Sequence, residues 1–160
     1  MGSSYIRRGR ERAKQTMGTN LGLDAQVRWY GRDGLRWSQF LPYFHQSLQR
    51  GRTPPDVLLI HCGSNDMGKV KSLDLATMMK RDLQRLQLEY PRMTLVFSQL
   101  TPRLQWCSAN PEAINKARKW VNYQISTSVN DLGGSVVAHP HIKFDCPGLF
   151  VRDGVRFSPL

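Results

Sequence analysis

Val57-Leu58-Leu59-Ile60-His61-Cys62-Gly63-Ser64-Asn65-Asp66 is the stretch on which the fold turns. Pro54-Pro55 introduces a continuous apolar run, Val57 to Ile60, which predicts a strand covered on both faces. Toward the carboxyl end, Leu75, Met79, Leu83 and Leu86 align on a helix over Leu73–Glu89 that Pro91 closes. Met93–Phe97 reads as the next strand. Asn110-Pro111 pairs a capping side chain with proline at the first helical position, and Ile114, Ala117, Val121 and Ile125 continue that helix. Gly133-Gly134 ends it, and Val136–Ala138 is a further strand. Toward the amino end, Trp37, Phe40, Leu41, Phe44 and Leu48 share a helix face, and Ala25–Tyr30 alternates like a strand. Ile6, Gly9, Ala13 and Met17 mark a first helix ending near Gly18. The alternation predicts one α/β domain over residues 1–160, with a parallel sheet and helices on both faces. Ligands of such sheets bind at the carboxyl ends of the strands, so the loops at 31–34, 62–68, 98–110 and 139–156 carry the interest.

Composition narrows the classes. Hydrophobic residues at 40% and charged residues at 22% of the 160 exclude wholesale disorder. No apolar run approaches the roughly 20 residues of a membrane-spanning helix, and no signal-peptide pattern opens the chain. Three widely spaced cysteines (Cys62, Cys107, Cys146) form neither a disulfide framework nor a zinc module, and point to a reducing, intracellular, cytoplasmic setting. No metal-ligand cluster and no dinucleotide fingerprint is visible, so no cofactor is expected. The net charge of +11 attracts anionic partners, nucleic acid among them, although the same residues read equally as a solvated basic surface. Arg7, Arg8, Arg10, Arg12 and Lys14 crowd the first helix; Arg28, Arg32 and Arg36, then Arg50 and Arg52, follow. No nucleic-acid-binding motif accompanies them.

Four segments carry candidate chemistry. Ser4 opens the first helix, where the positive end of the dipole favours a nucleophilic alkoxide; a serine there also serves as a plain N-cap. Tyr30-Gly31-Arg32-Asp33-Gly34 can turn a backbone N–H toward an oxyanion. Asn65, at the end of the buried strand, can donate to developing negative charge, or close an Asx turn. Asp153, in Asp153-Gly-Val-Arg156, can orient a base.

Gly2-x-Ser4, the glycine turn at Gly34, Gly63-Ser-Asn65-Asp66 and Asp153-x-x-Arg156, in this order, resemble the blocks of the SGNH (GDSL-like) hydrolases. The resemblance implies a flavodoxin-like three-layer α/β/α fold with a parallel sheet, and hydrolysis of a small ester or acylated substrate. Ser4 would be the nucleophile, and its own N–H, that of Gly34 and the Asn65 side chain would form the oxyanion hole. Asp153 would orient a histidine. That family places the histidine three residues after the aspartate, where this chain has Arg156. A guanidinium stays protonated and cannot accept the serine proton, so the implied esterase is impaired. The alternative is an inactive hydrolase fold kept as a basic nucleic-acid-binding module. His139 and His141 follow the last strand and are the candidates to replace the base, although they read first as ordinary loop residues flanking Pro140. His61 reads as a hydrogen-bonded core histidine and His45 as exposed. Gly2-x-Ser4-Tyr5-Ile6-Arg7-Arg8 also resembles hydrolase-like domains of vertebrate retroelement-derived proteins. Only Met1 precedes Gly2 and the chain ends at Leu160, so the domain reads as truncated at both ends, with a gap expected beside the strands ending at Tyr30 and Ile60.

Overall fold

The computed structural model describes residues 1–49, 52–106, 110–143, 145–146 and 148–158; Arg50 and Cys107 lie outside them. Three parallel strands, β1 (Val57–Ile60), β2 (Thr94–Ser98) and β3 (Ser135–Val137), stand side by side in chain order. Helix α3 (Ser72–Glu89) joins β1 to β2, and α4 (Pro111–Asp131) joins β2 to β3. Both crossovers run the same way across the sheet, so their common right-handed sense places both helices on one face, packed together. Leu75, Met79, Leu83 and Leu86 of α3 and Val121, Ile125 and Val129 of α4 meet Leu58, Ile60, Leu95 and Phe97 of the strands in the core. The Asn110 carboxamide caps α4, its Oδ1 accepting from Ala113 N at 3.0 Å.

A further lane of backbone extends the sheet past β1. His61 N donates to Met1 O at 3.0 Å, and Ser3 N to His61 O at 3.4 Å. On the other side Gly2 N donates to Tyr30 O at 2.9 Å and Arg32 N to Gly2 O at 3.0 Å. Residues 1–3 thus fill the place where a gap was expected, bridging Gly31 and His61 in parallel. The spatial order of the lanes is therefore residue 31, residue 2, β1, β2, β3. The chain leaves residues 1–3 in one direction through α1 (Ser4–Thr16) and returns in the other through the turn at Trp37–Gln39 and α2 (Phe40–Leu48). That reversal is a topological switch point, and it leaves a crevice at the carboxyl ends of these lanes.

Two further sequence expectations are corrected. Ala25–Tyr30 is not a strand; only Gly31 bridges the sheet. The alternation there records one-sided packing of an extended loop on α1. Trp29 lies against Gly9 and its Nε1 donates to Thr19 O at 2.7 Å, while Val27 N donates to Asn20 Oδ1. Nor is β1 covered on both sides: Leu58 and Ile60 are buried, but Val57 and Leu59 are 55% and 41% exposed. An apolar run gives the same pattern whether one face or two is covered, so the run alone could not tell them apart.

Candidate active site

The first turn of α1 sits at the switch point, and three loops are tied to it. The Arg7 guanidinium grips Asp33 with both ends of its fork, at 3.0 and 2.9 Å, fixing the 31–34 loop. Ser3 N, on His61 O, fixes the exit of β1. The Tyr5 hydroxyl donates to Val155 O, and its ring lies 5.1 Å from that of Phe157, fixing the loop at 150–158. These approaches demand glycine. A Cβ on Gly2 would lie 2.1 Å from His61 O, and one on Gly31 2.3 Å from Arg7 N.

Ser4 is the first residue of α1, half-buried, and its hydroxyl makes no hydrogen bond among the described residues. The N-cap position belongs to Ser3 instead, and that side chain makes no capping bond. Gly34 lies exposed in the turn closed by Leu35 N on Arg32 O, with a φ of 70° that suits glycine. Asn65 is held by two bonds: its Nδ2 donates to Leu35 O at 3.0 Å, and its Oδ1 accepts from Arg103 at 3.2 Å. A carboxamide has two N–H donors, so one remains for a ligand. Asp66, the next residue, is structural. Its buried carboxylate accepts Trp37 N at 2.8 Å, and its carbonyl accepts Lys69 N and Val70 N. Burial raises its pKa despite the bond from Trp37.

Asn65 and Asp153 line one cavity of about 230 Å³, together with Ser64, Met67, Lys69, Arg103, Gln105, Trp106 and Val155. Ser4 is not part of its lining; it lies one residue from Tyr5, which reaches Val155. Asp153 is committed to its own turn and to Arg156. Its Oδ1 accepts Val155 N at 3.0 Å and Arg156 N at 2.9 Å, and its Oδ2 pairs with Arg156 Nε. Those backbone bonds first, and the guanidinium after them, hold the carboxyl at a pKa of about 2. Arg156 thus sets a fixed positive charge against Asp153, and a guanidinium accepts no proton.

The histidines lie elsewhere. His61 Nδ1 and His139 Nε2 meet on the Ser98 hydroxyl, at 3.0 and 2.8 Å. The Tyr5 ring packs edge-on against His61 at 5.5 Å. His139 is therefore engaged with Ser98, and His141 is exposed. Burial, with His139 nearby, lowers the His61 pKa to about 4, and burial lowers that of His139. A base whose folded pKa lies below its unfolded value contributes stability above the unfolded pKa and loses it as pH falls. The window here runs from about 6.5 down to about 4, and the loss is roughly 3 kcal/mol. Urea unfolding across that window should show it, and His61→Asn should flatten the curve; an unchanged pH dependence in that variant would refute the assignment.

Sequence reading missed Arg103, Trp106 and Tyr5. Arg103 does fall in the loop after β2, one of the four singled out, but nothing local marks an arginine that tertiary packing will bury to 9% exposure. Among the described residues no helix is long and apolar enough to cross a membrane, and no group of three or more His, Cys, Asp or Glu could hold a metal ion.

No family model matches the chain, and no curated protein does. Solved structures match throughout its length. One is a member of the lipolytic G-D-S-L family from Veillonella parvula, at 14% identity and TM-score 0.73, covering 98% of this chain and 86% of that one. A GDSL-like lipase from Bacteroides thetaiotaomicron matches at 16% identity and TM-score 0.69, over 99% and 78%. A family 3 carbohydrate esterase from Clostridium thermocellum matches at 22% identity and TM-score 0.65, over 96% and 77%.

Proposed function

The fold is that of the GDSL-like hydrolases, and from it we propose a serine ester hydrolase site that retains its nucleophile and oxyanion donors but has lost its general base. Ser4 is the nucleophile. An oxyanion formed on the carbonyl of a small ester is received by the Ser4 and Gly34 N–H groups and by the remaining N–H of Asn65. The bond from Asn65 to Leu35 O holds that carboxamide in place before substrate arrives, as effective electrostatic stabilisation requires. The single observation that carries this reading is the Arg156–Asp153 pair, an aspartate already presenting a side chain three residues on. Hydrolysis of 4-nitrophenyl acetate by Arg156→His, with and without Ser4→Ala, tests it; equal rates in the two chains reject it.

The same pair favours a second reading. A site without a proton acceptor is compatible with binding, and a +11 chain suits nucleic acid. Exposed Arg10 and Arg12 on α1 and exposed Arg28, Arg32 and Arg36 supply phosphate partners. The resemblance of the opening residues to domains of retroelement-derived proteins suits this reading as well. Binding of a single-stranded oligonucleotide, followed by fluorescence anisotropy, should weaken steeply as salt rises from about 50 to 200 mM. Absent or salt-insensitive binding rejects it.

A further inference from the structure

The 230 Å³ cavity beside Asn65 has an electrostatic character that ester hydrolysis alone does not use. Arg103 is 9% exposed, and its guanidinium carbon lies 5.1 Å from the centroid of the Trp106 ring. Lys69 stands exposed at the rim. The Ser64 hydroxyl, 4% exposed, and the buried Trp106 Nε1 have no hydrogen-bond partner among the described residues. Unsatisfied buried donors are costly, and two in one cavity beside a guanidinium point to an acceptor that is brought there. The lining carboxylate, Asp153, already accepts Val155 N, Arg156 N and Arg156 Nε. What the cavity offers is donors and positive charge.

We infer that this cavity is a subsite for a carboxylate carried by the substrate, with Arg103 as its specificity determinant. The inference rests on the ester hydrolase reading and narrows it to anionic esters. A carboxylate matches the count better than a phosphate dianion. It needs few donors beyond the Ser64 hydroxyl and the Trp106 N–H, with the Arg103 guanidinium beside them supplying positive charge, and Asp153 on the same wall repels a second negative charge. The Trp106 ring against Arg103 limits where the guanidinium can swing, so the subsite selects position as well as charge.

Monomethyl succinate is the probe and dimethyl succinate its neutral control, titrated into the unmodified chain and followed by the indole N–H resonances, with Trp106→Phe assigning that of Trp106. The expected result is a saturating shift of the Trp106 N–H with the monoester, none with the diester, and at least about tenfold weaker binding in Arg103→Gln. Inorganic phosphate should compete poorly. Equal shifts from both esters, no shift at tens of millimolar, or unchanged affinity in Arg103→Gln would overturn it, as would phosphate binding more tightly than the monoester. The comparison of charged with neutral probe needs no variant to fold. Turnover of neutral 4-nitrophenyl acetate by Arg156→His judges the hydrolase reading separately. Turnover without monoester binding sinks the subsite alone, and monoester binding without turnover sinks the hydrolase reading while the anion site stands.

Discussion

Arg156→His should raise the hydrolysis of 4-nitrophenyl acetate by at least about a hundredfold, the lower end of what a positioned general base contributes. The reason is the geometry already in place. Asp153 is oriented by two backbone N–H groups that do not depend on the residue at 156, and its Oδ2 points to that side chain. An imidazole there would find its carboxylate waiting. The same two backbone bonds, the largest causes of its lowered pKa, keep that aspartate ionised throughout the working range. Adding Ser4→Ala to Arg156→His should remove the whole gain, because a nucleophile and its base act as a unit. A gain that survives Ser4→Ala would place the chemistry on another group.

Trp37→Ala should cost about 4 kcal/mol in a denaturant titration, the middle of the range for truncating a buried tryptophan. Trp37 is fully buried, stacks on Phe40 at 4.8 Å, and donates its Nε1 to Asp82 at 2.9 Å. Truncation opens a cavity and takes a partner from a carboxylate that is 5% exposed. Trp37→Phe separates the two effects. It keeps most of the ring and should lose about 2 kcal/mol, the size of a hydrogen bond to a charged group. The consequence reaches the site. Trp37 N bonds Asp66 and the neighbouring Leu35 O bonds Asn65, so a loosened turn at 35–37 frees the carboxamide to rotate. Against a typical domain stability of 5–15 kcal/mol, the Ala variant retains a fold with much less reserve.

The sheet and its helices were legible because their signals are local. Four apolar residues and Pro54-Pro55 announce β1, and Asn110-Pro111 starts α4 where its carboxamide caps Ala113 N. Residues 1–3 were illegible because three residues carry no period, and their place comes from neighbours 30 and 60 positions away. Ala25–Tyr30 misled for the opposite reason: a loop lying on a helix alternates like a strand. The site divides in the same way. Asn65 and Asp153 stand out from glycine-bounded motifs, and they line one cavity. Arg103 and the His61–Ser98–His139 chain have no motif; long-range packing alone defines them.

One labelling experiment bears most directly on whether α1 delivers a live hydroxyl to these converging loops. The Arg156→His protein is treated with diisopropyl fluorophosphate, and the modified residue is found by peptide mass spectrometry. A single adduct on Ser4, forming far more slowly when Arg156 is kept, is the predicted outcome. A folded Arg156→His protein that takes no label, or takes it on Ser64 or Ser98, would contradict it.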